Sequence, residues 1–80
     1  MIKVNVIVFA TLRRYLPNLA IGEEKIVAVE AGTTLAEIRN MLNLPKDEVK
    51  VIMRNNLQAE PEDIAEDGDR IAYIPAVAGG

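Results

Sequence analysis

Apolar and polar positions alternate from the start of the chain. Ile2, Val4, Val6 and Val8 make one continuous apolar face, with Lys3, Asn5, Ile7 and Phe9 between them. That period of two predicts a strand packed on a core. Its other face begins polar and turns apolar at Ile7 and Phe9. Residues 11–16 read as a short helix stopped by Pro17, because proline cannot continue a helix. A loop containing Gly22 leads into a second strand over 25–30, which is β-branched and apolar. Ala31-Gly32-Thr33 is a turn. Thr34 followed three residues later by Glu37 matches the capping box that opens a helix. Leu35, Ile38 and Leu42, with Met41 beside them, recur at helical spacing on one face, and this main helix ends before Pro45. Residues 49–54 read as a third strand. Asn55-Asn56 suits a tight turn, since Asn tolerates positive φ. Gln58-Ala59 is a short fourth strand, 60–66 an acidic connector, and Asp67-Gly68-Asp69 a turn. Residues 70–74 form the last strand, closed by Pro75, before a tail of small residues ending in Gly79-Gly80.

The predicted class is therefore α+β: a four- to five-stranded mixed sheet with one main helix packed on one face. No second helix remains to cover the opposite face, so a partner is expected there. The expected division is a domain over 1–75 and a flexible tail over 76–80.

Composition narrows the chemistry. Eighty residues, half of them hydrophobic and about a quarter charged, make one globular domain. A chain this short buries one compact core but not a large pocket. Cys and His are absent, and so is Ser. Those absences remove thiolate metal sites, the commonest general base and the serine triad. A stand-alone enzyme is not expected, nor a bound metal or cofactor. A net charge of -3 and a pI near 4.8 argue against nucleic acid and favour a partner with a basic surface. No run approaches the ~20 apolar residues that span a bilayer, so no membrane partner is expected. The N-terminal apolar run is broken by Asn5 and lacks a small-residue cleavage site. A strand fits it better than a signal peptide, and the cytoplasm is the expected location.

Three clusters have a plain explanation. The acids Glu60, Glu62, Asp63, Glu66, Asp67 and Asp69 lack EF-hand spacing and are interrupted by Pro61. They read as a solvated connector, with steering of a basic partner second. Arg13-Arg14-Tyr15 reads as a solvated helix start, with interface contact second. Met41 and Met53 read as core filler.

The tail carries the functional signal. Two residues without side chains let a backbone enter a narrow slot in another protein. Residues 76–80 project up to about 17 Å when extended. The terminal carboxylate becomes an acyl donor only after activation, most simply by adenylation. The glycines of this chain form neither a P-loop nor a dinucleotide fingerprint, so ATP must be handled by a partner.

The chain resembles the small subunit of molybdopterin synthase and its relative, the thiamine-pathway sulfur carrier. The resemblance rests on Ile2-Lys3-Val4, Phe9-Ala10 and Leu12-Arg13 at the start. In the middle it rests on Ala31-Gly32-Thr33-Thr34-Leu35 and Asn55. At the end it rests on Asp67-Gly68-Asp69, Ile71-Ala72-Tyr73-Ile74-Pro75 and Val77-Ala78-Gly79-Gly80. Two departures are Ala76 where the family usually has a second proline, and Arg70 where it often has Glu. The resemblance implies a ubiquitin-like β-grasp fold. It also implies that a ubiquitin-activating-enzyme-like adenylyltransferase adenylates Gly80 with ATP and magnesium. A sulfur donor protein would then make the thiocarboxylate, and the large synthase subunit would receive the sulfur on a pterin precursor. The chain would be a cosubstrate with Gly80 and Gly79 at its reactive end. Other roles considered are sulfur transfer to thiamine thiazole or transfer RNA, conjugation to protein lysines, and a plain interaction module.

In a β-grasp the first and last strands lie side by side. With Ile71 and Tyr73 on the core side, Ile7, Phe9, Ala72 and Ile74 are expected as an exposed apolar patch beside the tail. The expected partner-binding set is these four with Arg13, Pro75, Val77 and Ala78.

Overall fold

The computed structural model describes residues 1–76. The first alternating run forms β1, Ile2–Val8. A 3-10 turn follows over Ala10–Tyr15, then β2, Lys25–Val29, and the helix α1, Leu35–Met41. After a second 3-10 turn over Lys46–Glu48 come β3, Val49–Arg54, β4, Leu57–Ala59, and β5, Arg70–Pro75. The five strands form one sheet in the order β2-β1-β5-β3-β4. β1 and β5 run parallel at its centre, and the other pairs are antiparallel. This is the β-grasp arrangement expected from the sequence.

Local chemistry sets the element ends. Thr34 Oγ1 accepts from the Glu37 N–H, and the Glu37 carboxylate accepts from the Thr34 N–H, closing the capping box. Asn55 and Asn56 take φ of 52° and 69°, the left-handed values a two-residue hairpin needs. The β3–β4 hairpin turns there. The acidic connector is more ordered than a solvated linker. The Asp63 carboxylate accepts from the Glu60 N–H, and Asp67 accepts from the Lys3 N–H. Asp69 accepts from the Glu66 N–H and from the Asn55 amide. These three aspartates stand in for backbone acceptors in turns.

The core lies on one side of the sheet. Val4, Val6, Val8, Ile71 and Tyr73 face Leu35 and Ile38 of α1, with Leu12, Val29, Ile52, Leu44 and Ala65 completing the cluster. Tyr73 has no exposed surface, and its hydroxyl donates to the Leu35 carbonyl across the helix–sheet interface. Met41 does not join this core. It ends α1 and stays exposed, because a helix of seven residues leaves its last position beyond the sheet's cover. Met53 is half-buried and lies on the other sheet face, paired with Ala72.

Candidate functional site

The face of the sheet turned away from α1 is built by alternation. With Val6, Val8, Ile71 and Tyr73 on the core side, Asn5, Ile7, Arg70, Ala72 and Ile74 take the opposite side. Register places them in rows. Ile7 sits beside Ala72, which sits beside Met53; Ile74 sits beside Val51. One row further from the strand ends, Ile26, Asn5 and Arg70 stand abreast. The face is thus apolar toward the C-terminal ends of β1 and β5 and polar below.

Parallel pairing puts those two ends side by side. The Phe9 N–H donates to the Tyr73 carbonyl at 3.3 Å, and Phe9 is 41% exposed. Ala10 then turns the chain with a φ of 51°, a left-handed value unfavourable for a residue with a Cβ. The apolar rows therefore adjoin the point where β5 leads into the tail.

The expected patch needs one correction. Ile7 and Ala72 share a face with Ile74, as alternation required, but they are buried at 3% and 5% exposure. Both lie on central strands with neighbours on either side, which cover them although no helix does. Phe9 and half-buried Ile74 are what the isolated domain presents. Pro75 is also buried, opposite Val49. Arg13 is half-buried on the 3-10 turn. Val77, Ala78, Gly79 and Gly80 lie outside the described residues.

Two polar clusters were not foreseen. The Arg70 guanidinium donates through Nε to Glu24 at 2.6 Å. That hydrogen bond, helped by one from Asn5, holds the Glu24 carboxyl below its usual range. Tyr15 and Arg14 both donate to the Glu48 carboxylate, at 2.7 and 2.9 Å. The Arg14–Tyr15 pair is thus anchored to a residue over thirty positions away rather than simply solvated. An open cleft of about 210 Å³ is lined by Tyr15, Leu16, Pro17, Asn18, Leu19 and Lys25. It carries one cation and no acid. No helix among the described residues is long and apolar enough to cross a membrane.

An open sheet with a parallel central pair and one covering helix, with Phe9 and half-buried Ile74 where the last strand ends, is the architecture of the ubiquitin-like class. Residues 6–80 match the ThiS family model; the chain belongs to the ThiS family. Solved structures agree on the fold. A putative molybdopterin converting factor, subunit 1, from Pyrococcus furiosus is 21% identical, with a TM-score of 0.74 over 96% of this chain and 100% of that one. The small archaeal modifier protein 1 of Haloferax volcanii is 17% identical, with a TM-score of 0.75 over 96% and 100%. The Haloferax volcanii HVO 2177 protein is 21% identical, with a TM-score of 0.77 over 99% and 87%. At these identities the likeness is one of fold. No curated protein sequence matches the chain.

Proposed function

We propose that the chain is a sulfur carrier whose reactive group is the Gly80 carboxylate, serving molybdopterin synthesis as the small synthase subunit. The observation that carries this reading is the placement of Phe9 and half-buried Ile74 where the last strand ends, just before a sequence ending in Gly79-Gly80, in a member of the ThiS family. Docking of Phe9 and Ile74 against a partner removes apolar area from water at about 25 cal/mol per Å². It also aims the tail into that partner's active site. An adenylyltransferase supplies ATP and magnesium there. A Gly80 carboxylate oxygen attacks the α-phosphorus of ATP, pyrophosphate leaves, and an acyl-adenylate forms. Hydrosulfide, delivered by a sulfur donor protein, displaces AMP and leaves the thiocarboxylate. The large synthase subunit then receives the sulfur. All catalytic side chains belong to the partners, and the cytoplasm is the proposed location. The Phe9-Ala10-x-Leu12-Arg13 start favours the molybdopterin branch over the thiamine branch.

A second reading is favoured by the fold shared with the Haloferax volcanii modifier. In it a lysine amine, rather than sulfide, attacks the same adenylate and yields an isopeptide bond.

Intact-mass spectrometry of the chain purified from its own cells separates the readings. Exchange of one terminal oxygen for sulfur is the expected result. A branched adduct through Gly80 identifies a modifier, and an unmodified terminus under sulfur-replete growth refutes both. Deleting Gly80, or extending the chain beyond it, abolishes loading and leaves the melting curve nearly unchanged.

A further inference from the structure

We infer that Arg70 is a specificity-determining contact of the sheet face, a guanidinium held at the border of the apolar rows to meet a carboxylate on the adenylyltransferase. This rests on the carrier reading above and names the chemistry its partner must present. Arg70 lies on the same face as Ala72 and Ile74 of β5, and stands beside Asn5, one row from Ile7. Lys3, on the same face of β1, lies a further row away. The Arg70 side chain is 40% exposed, so it is reachable from solvent.

Among the described residues, one of its five N–H donors is used. The side chain donates through Nε, to Glu24 at 2.6 Å. Among the described residues the Nη donors have no hydrogen-bond partner. A guanidinium pinned at Nε by one carboxylate presents its remaining N–H groups in a fixed orientation. That geometry suits a second carboxylate, and the ordering of the side chain is already complete before the partner arrives.

The Arg70–Glu24 pair itself adds little to folding, because half-exposed ion pairs contribute between nothing and about 1 kcal/mol. Its effect appears on docking. When the apolar rows are covered, the Arg70–Glu24 pair enters a medium of lower dielectric and the remaining N–H donors of Arg70 lose their water, so leaving them without an acceptor is costly. A surface that offers those donors no acceptor is therefore disfavoured even if it is apolar enough to cover Phe9 and Ile74, and a carboxylate is the strongest acceptor it can offer. The requirement is opposite to the one set by the net charge of -3. At long range the chain attracts a basic surface; at this contact the partner must be acidic.

The test uses the full chain, the adenylyltransferase of the same cell and Mg-ATP, with dissociation constants from titration calorimetry at low and high salt. Arg70→Gln is expected to weaken binding about tenfold and to flatten its salt dependence, and Arg70→Glu to weaken it about a hundredfold. Glu24→Gln separates contact from mere loop fastening, and is expected to stay within about threefold of the native chain. Circular dichroism confirms folding of each variant, and Arg70→Gln alone decides the matter if Arg70→Glu does not fold. The inference is overturned if the Arg70 variants bind within about twofold of the native chain, or if Glu24→Gln loses as much as Arg70→Gln. Failure of the native chain itself to bind the enzyme overturns the carrier reading with it, and that outcome is distinct from the other two.

Discussion

Replacing Tyr73 by Phe should weaken the domain at neutral pH and protect it at alkaline pH. Tyr73 is fully buried, and its hydroxyl donates to the carbonyl of Leu35, the first residue of α1, at 2.7 Å. Removing that bond costs about 1 kcal/mol, or roughly 4–8 °C in melting temperature for a domain of this size. Burial also drives the Tyr73 phenol far above its ordinary pKa, with only partial relief from the charge of Arg39. The unfolded chain releases this proton near pH ~10 while the folded domain keeps it. Above that pH the unfolded state binds fewer protons than the native state, so stability falls as pH rises, by about 1.4 kcal/mol per pH unit. Below it, the full contribution of the neutral phenol is present. At pH ~11.5 the native chain has lost about 2 kcal/mol through this residue, a loss the Phe variant does not share. The two stabilities should therefore cross near pH ~10.7. Urea unfolding of both chains across this range measures the gap. In a Tyr15→Phe background, tyrosinate absorbance reports Tyr73 alone and should rise only with unfolding. A gap of constant size from neutral pH to pH ~11.5 would refute the argument.

Ile38→Ala, at a fully buried position of α1, should cost about 2–5 kcal/mol in urea denaturation; a cost near zero means the helix packs otherwise. Ala10→Gly should raise the melting temperature, gaining up to about 1 kcal/mol by relieving a positive φ. This is the reverse of the usual effect of that change. Phe9→Asp should leave the circular dichroism spectrum native, whereas Ile7→Asp should unfold the domain by placing a carboxylate where only 3% of the residue is exposed.

The strands were legible because a two-residue period needs only nearest neighbours. β3 has the bounds that the sequence indicates, and the Thr34–Glu37 box marks the helix start because both of its hydrogen bonds are local. The Asn55-Asn56 turn is visible for the same reason. What escaped depends on neighbours distant in sequence. Alternation gave the face of Ile7 and Ala72 but not their burial, which depends on strands packed alongside. Leu44 and Ala65 belong to the core, yet they sit in connections with no period to reveal them. Glu48 with Tyr15, and Glu24 with Arg70, meet across 33 and 46 positions, and no spacing rule joins them. Gly79 and Gly80 lie outside the described residues, and Gly80 is proposed as the reactive end from the sequence alone.

The position of β5 also dictates an order of assembly. It is the last strand made and the middle of the sheet, flanked by β1 on one side and β3 on the other. Without it, β1 with β2 and β3 with β4 are two separate hairpins, each too small to hold its shape in water. A chain stopped before Arg70 has no sheet to close and remains a substrate for proteolysis. Early contacts are local and the sealing contacts span nearly the whole length, so closure is slow relative to hairpin formation. The strand that completes the domain is the one that precedes the terminus proposed to be reactive. On the carrier reading proposed above, an activating enzyme that grips the finished sheet meets only chains synthesised through to that strand, and the fold acts as its own proofreading step.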